Sequence, residues 1–182
     1  MFIWTGIDVD NQLLNIKEYA LKIDRKLEFE HSCFTLPMHI SLKMPFKIND
    51  DEFDEIINTV SDYYHSLNVF DIEIDAIENN ECIAWIRTKE NAILNKISYD
   101  LNYILKNNYN IRLHEYDLDY KFHITLFMDI DTKKVKKAFE QIKDFVLPQK
   151  LSANRFVIGT SASGDLGAYS ILKVVDLKEN EK

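Results

Sequence analysis

Two tetrapeptides repeat one pattern about half a chain apart: His39-Ile40-Ser41-Leu42 and His123-Ile124-Thr125-Leu126. Each sits in a run of alternating polar and apolar residues, "HISLKMPF" and "HITLFM", which reads as a half-buried strand. Residues i and i+2 of a strand share a face. His39 and Ser41 therefore look one way while Ile40 and Leu42 look the other, and the second motif behaves alike. Any fold holding both must present the same rail, one imidazole and one hydroxyl, twice. The spacing is too long for a solenoid repeat and points to a duplicated lobe.

The flanking sequence supports two similar halves. "FIWTGID" (2–8) reads as a first strand, and Leu13, Ile16, Ala20, Ile23 and Leu27 recur at helical spacing. "NDDEFDEIINTVSDYYHSL" combines first-turn acids with an apolar stripe of Phe53, Ile56, Ile57, Val60 and Tyr64, a second helix. Phe70, Ile72, Ile74 and Ala76 then alternate with Asp71, Glu73 and Asp75, an antiparallel strand with a solvated acidic face. A turn at Asn79-Asn80 leads to "CIAWIRT". Ile93, Ile97, Leu101, Ile104 and Leu105 mark a third helix, and Thr132 is expected to cap a fourth with Val135, Phe139 and Ile142 inward. "KLSANRFVIGTS" and "AYSILKVVDL", joined by "ASGDLG", read as a closing strand pair. Helices mixed with hairpins give an α+β fold rather than a doubly wound one.

A chain of 182 residues with 46% apolar residues suits one core, so a single bilobal domain over 1–182 is expected, with a polar tail from about 178. The net charge of −8 argues against gripping long nucleic acid by phosphate neutralisation, and leaves room for a small phosphorylated ligand in a local pocket. Cys33 and Cys82 are isolated, which fits a reducing compartment and small buried apolar residues. "MFIWTGIDVD" lacks the basic start of a secretory signal, and no apolar run approaches a membrane span, so a cytoplasmic protein without membrane contact is expected. HExxH, GxGxxG and GKS/T are absent, and no metal or other cofactor is expected. His31, His65 and His114 fall outside the repeat and read as surface or loop residues.

Near neutral pH an imidazole serves as general acid or base, and a hydroxyl donates to a phosphoryl oxygen. Two such rails facing each other place a base on one side of a phosphorus atom and an acid on the other. That arrangement suits in-line displacement at a phosphodiester. A solvent-facing strand histidine accounts for one copy of the pattern; it accounts poorly for two.

With these residues the chain resembles the two-histidine (2H) phosphoesterases, which include the LigT-like RNA 2′,5′-ligase and cyclic phosphodiesterase group. "LPMHISLKMPF", "DYKFHITL" and "TSASGDLGAYSIL" carry the resemblance, and motif order and spacing extend it over most of the chain. It implies a bilobal α+β fold, with two pseudo-symmetric antiparallel sheets flanking a central cleft, helices outside, and both termini in one lobe. It also implies that one of His39 and His123 deprotonates the attacking oxygen and the other protonates the leaving oxygen. Ser41 and Thr125 would hold the phosphate oxygens. Phe122 stands where many relatives have proline, and "FMDID" lacks an arginine that many carry. Lys43, of the same parity as His39 and Ser41, is then the candidate cation. Phe127, by the same parity, is a candidate for base stacking, with core packing as its other role, and Tyr120 and Tyr169 are candidates for the cleft edge. The implied activity is metal-independent cleavage of 2′,3′-cyclic phosphates or 2′,5′ linkages in small nucleotides or short RNA ends. Alternatives are 2′,5′-ligation, trimming of RNA 3′ ends, or a non-catalytic nucleotide- or RNA-binding domain. The oligomeric state stays open, with a monomer the expectation.

Overall fold

The computed structural model describes residues 1–165 and 167–179. Its regular elements are β1 (Phe2–Asp8), α1 (Leu14–Leu27), β2 (His39–Lys47), α2 (Phe53–His65), β3 (Phe70–Asn79), β4 (Ile83–Thr88), α3 (Ala92–Tyr109), β5 (His123–Met128), α4 (Thr132–Ile142), β6 (Lys150–Ala153), β7 (Arg155–Ser161) and β8 (Ser170–Asp176). The strands run in the order β6-β3-β4-β5-β2-β1-β7-β8, with every neighbouring pair antiparallel. This is the expected α+β architecture with two four-stranded lobes. β2, β1, β7 and β8 form the first lobe, and both ends of the chain belong to it. β6, β3, β4 and β5 form the second.

The lobes meet where β2 and β5 pair, and they pair in register only at Ile40 and Ile124. Both isoleucines are fully buried. A junction one residue pair wide lets the two sheets splay apart on either side of it. Helices cover the outer faces: α4 lies against β3, β4 and β5 and carries α1 on its flank, while α3 lies behind β2 beside α2. The core runs through both lobes, from Ile3, Ile7 and Phe156 to Ile86, Ile124 and Leu151.

Local sequence explains most boundaries. Asn91 caps α3 by accepting from the N–H groups of Ile93 and Leu94. α1 and α3 both end on a left-handed residue, Glu28 and Asn110. In β3, Phe70, Ile72 and Ile74 are buried while Asp71, Glu73 and Asp75 are exposed, as the alternation requires, but the register shifts after Ile74 and Ile77 is buried where Ala76 was expected.

Four expectations need correction. Asp131, not Thr132, caps α4; its carboxylate reaches the N–H groups of both Lys133 and Lys134. The run "KLSANRFVIGTS" is two strands in different lobes, because the chain turns at Asn154: β6 pairs with β3 and β7 with β1. Leu177 is buried, and the Lys178 carbonyl accepts from Val69 N–H, so the polar tail starts later than 178; residues 180–182 lie outside the described residues. Cys82 is exposed at the β3–β4 turn rather than buried, and Cys33 is only partly covered. No helix among the described residues is long and apolar enough to cross a membrane.

Candidate active site

The Ile40–Ile124 pairing decides where the motif side chains go. Both isoleucines point into the core, so His39, Ser41, His123 and Thr125 lie on the opposite, cleft-lining face. Antiparallel register sets His39 across from Thr125 and Ser41 across from His123. Directly opposed side chains start about 5 Å apart and diagonal ones about 7–8 Å apart. The imidazoles are thus diagonal neighbours, with a hydroxyl at each of the other two corners.

The two histidines are held alike. His39 Nδ1 lies 2.7 Å from the Pro37 carbonyl, and His123 Nδ1 lies 2.6 Å from the Lys121 carbonyl. A carbonyl only accepts, so Nδ1 carries the proton and Nε2 is left for chemistry. The residue before each histidine is buried and tied to its surroundings through its carbonyl: Val9 N–H donates to the Met38 carbonyl, and Thr88 N–H to the Phe122 carbonyl. Each ring also meets a tryptophan edge-on, Trp4 at 4.4 Å for His39 and Trp85 at 6.0 Å for His123. Burial pushes His39 down to about 4; the Pro37 carbonyl opposes this, His123 adds to it, and the Asp8 carboxylate opposes it. Burial also lowers His123, against the pull of the Lys121 carbonyl. Burial thus favours the neutral form of both rings in the free protein.

Tyr120 connects the motifs. Its ring stacks on His123 at 6.3 Å, and its hydroxyl lies close enough to Ser41 to feel it electrostatically. Burial pushes that phenol up to about 12. Ser41 Oγ also accepts from Trp4 Nε1–H at 3.3 Å. Trp4 lies flat against the chain at Gly159, where an added Cβ would come within 2.6 Å of the indole.

Beyond Ser41 and Thr125 the parity rule fails, and it fails identically in both motifs. Leu42 is an extra residue between the Ser41–Gly6 and Lys43–Thr5 pairs, and Leu126 is an extra residue between the Thr125–Trp85 and Phe127–Ala84 pairs. Each bulge reverses the strand's facing. Lys43 consequently leaves the cleft face: it is 1% exposed and its Nζ donates to Asp117 Oδ2 at 2.6 Å, with Asp117 at 0%. The Asp117 carboxylate also accepts from the N–H groups of Met44 and His114, and Ser98 Oγ donates to the carbonyl of the bulged Leu42. Lys43 is therefore a neutralised internal charge and not the expected cleft cation. Phe127 is likewise buried, stacked on Phe29 at 5.3 Å and edge-on to Phe34, so it packs core and is not placed to stack a base. Tyr169 is partly buried just before β8 and makes no ring or hydrogen-bond contact with either motif among the described residues. His31, His65 and His114 are exposed, as expected.

Several cleft residues escaped the sequence reading. Asp8 is the cross-strand partner of His39, and Arg87 is that of His123. Trp4 and Trp85 share parity with them in "FIWTGID" and "CIAWIRT", which was visible. Their register against the motif strands was not. Among the described residues no three His, Cys, Asp or Glu side chains converge as metal ligands.

The fold has counterparts among solved structures. A Thermus thermophilus protein aligns over 100% of both chains with a TM-score of 0.68 at 12% identity. E. coli LigT in its apo form aligns over 96% of both chains with a TM-score of 0.60 at 15% identity. The chain has the fold of LigT. A protein described as a phosphoesterase aligns over 96% of this chain and 97% of its own, with a TM-score of 0.59 at 12% identity. LigT has also been solved in complexes with 3′-AMP, with phosphate and with ATP. No protein-family model and no curated protein sequence matches the chain.

Proposed function

We propose that this protein is a 2H phosphoesterase that hydrolyses 2′,3′-cyclic phosphates or 2′,5′ linkages of small nucleotides or short RNA ends, without a metal. The observation that carries the reading is the single Ile40–Ile124 register point, which sets both imidazoles and both hydroxyls on one face with both Nε2 atoms available. The LigT fold and the nucleotides bound to LigT itself support the substrate class.

The step balances with the residues present. A phosphate anion entering between the rings favours one imidazolium, offsetting the burial that favours the neutral form of both in its absence. The neutral imidazole takes a proton from water at Nε2 as the water oxygen bonds to phosphorus. The P–O bond to the ribose oxygen breaks, and the imidazolium delivers its Nε2 proton to that oxygen. Ser41 and Thr125 donate to the non-bridging oxygens, and the Trp4 indole N–H holds Ser41 in place. The protonation states of the two histidines are exchanged at the end and reset through solvent.

The test is hydrolysis of 2′,3′-cyclic nucleotides and 2′,5′-linked dinucleotides in EDTA by wild type, His39→Ala and His123→Ala. Each substitution is expected to lower kcat by about 10²–10⁴-fold. Equal rates in all three proteins would sink the mechanism. A wild type that binds 3′-AMP but cleaves nothing would make the domain a binding module instead.

A further inference from the structure

The cleft face has a polarity that the repeated motifs do not share. Beside His39 on β1 stands a carboxylate, Asp8; beside His123 on β4 stands a guanidinium, Arg87. Cross-strand partners share a face at about 5 Å, so the two imidazoles have opposite charges as neighbours. The rows continue differently too. Outward from Ser41 come Gly6, Val157 and Val174, with no charge at all. Outward from Thr125 come Trp85 and Glu78.

Arg87 is drawn outward from His123. Its two terminal nitrogens pair with Asp75 and Glu78 on β3, two strands beyond the catalytic rail. The residue is 47% exposed, and its Nε–H has no hydrogen-bond partner among the described residues. A guanidinium in that position is displaced from the point between the two imidazoles where a scissile phosphate would sit. It faces the next group along a substrate lying over the second lobe. The corresponding place in the first lobe offers a carboxylate, Asp8, with Arg155 beyond it shared between Asp8 and Asp176. The charge nearest His39 is thus negative and the charge nearest His123 positive, so an anion beside the two imidazoles is favoured on the Arg87 side.

We propose that Arg87 is a specificity residue that binds a second phosphate of the substrate, so that the ligand lies with its additional anionic group over the second lobe and its uncharged part over the Gly6–Val157–Val174 row. The proposal rests on the phosphodiesterase reading for its chemistry, but its test does not depend on turnover. Asp75 and Glu78 brace the guanidinium and also compete with the ligand for it, two carboxylates against one cation. A purely structural ion pair would be damaged alike by losing either partner. An anion site would respond in opposite directions.

The experiment is calorimetric titration of adenosine 3′-monophosphate and adenosine 3′,5′-bisphosphate into wild type, Arg87→Gln and Asp75→Asn. The ratio of the two affinities within one protein is unaffected by any loss of folded fraction. Wild type is expected to favour the bisphosphate about tenfold, Arg87→Gln to erase that preference, and Asp75→Asn to widen it about threefold. The preference should shrink with added salt. The proposal is overturned if wild type shows no preference, if it binds neither ligand, if Arg87→Gln leaves the ratio intact, or if both substitutions move it the same way. Absence of hydrolysis alongside the expected ratios would instead remove the catalytic reading and leave Arg87 as a ligand-binding residue.

Discussion

The two lobes are built on one backbone plan and finished with different neighbours. Both motif strands show the same facing through their first four residues, the same bulge at the leucine, the same Nδ1-to-carbonyl clamp and a tryptophan edge against the imidazole. The carbonyl clamp and the tryptophan edge on each histidine are duplicated, whereas Tyr120 stacks on His123 alone. What surrounds the pair is not duplicated: Asp8 faces Arg87 across the pseudo-symmetry, and Gly6 faces Trp85. Repetition supplies two histidines held alike; divergence of the adjoining strands gives the cleft a direction.

The bulges show the same division. After each motif the fifth residue turns inward, but one lobe buries Phe127 there and the other buries Lys43. The aromatic needs only its cavity, whereas the ammonium needs Asp117. Asp117→Ala is therefore expected to have the largest effect on stability, about 3–5 kcal/mol, by stranding a buried charge. Replacing both partners, Lys43→Met with Asp117→Leu, should recover most of it. Urea unfolding midpoints measure both, and a loss under about 1 kcal/mol for Asp117→Ala would mean that Lys43 escapes to solvent and the lobes are more alike than described.

A second contrast concerns pH. His39 titrates near 4 when folded and near 6.5 when unfolded, so on acidification the unfolded chain takes up the proton first. Its contribution is complete above pH 6.5 and is lost as pH falls toward 4, on the order of 2–3 kcal/mol. His123 is lowered too and acts with the same sign. His39→Gln should flatten the stability profile between pH 6.5 and 4. Indistinguishable profiles for wild type and His39→Gln would contradict the burial assigned to that ring.

The smallest effect expected is also the most local. Gly159→Ala places a methyl group 2.6 Å from the Trp4 ring and 2.9 Å from the Ser170 carbonyl. Pushing the indole aside costs about 1–3 kcal/mol and disturbs its bond to Ser41 and its edge on His39. Tryptophan fluorescence should register the shift of Trp4 without one of Trp85. An unchanged spectrum would show that Gly159 is not what seats the ring.

Much of this organisation was legible in the sequence. Period-two alternation placed His39, Ser41, His123 and Thr125 on a common type of face, and it described β3 from Phe70 to Asp75 before failing at Ala76. Lys43 and Phe127 were misplaced because parity was extended through Leu42 and Leu126, where pairing with β1 and β4 inserts an extra residue. Bulges are decided by the partner strand, and the motif itself carries no sign of one. Arg87 and Asp8 were missed for a related reason: their parity was plain, but which residue lies beside a histidine is a matter of register between segments far apart in the chain. Asn154 gave no warning that one apolar run would serve two sheets.

That turn at Asn154 bears on how the molecule is assembled. The four residues before it complete the edge of one sheet, and the strands after it supply half of the other. A nascent chain that had reached only residue 149 would hold both histidine strands but two unfinished sheets. Neither lobe is a contiguous stretch of chain, so both sheets receive their last strands only from the residues beyond 149.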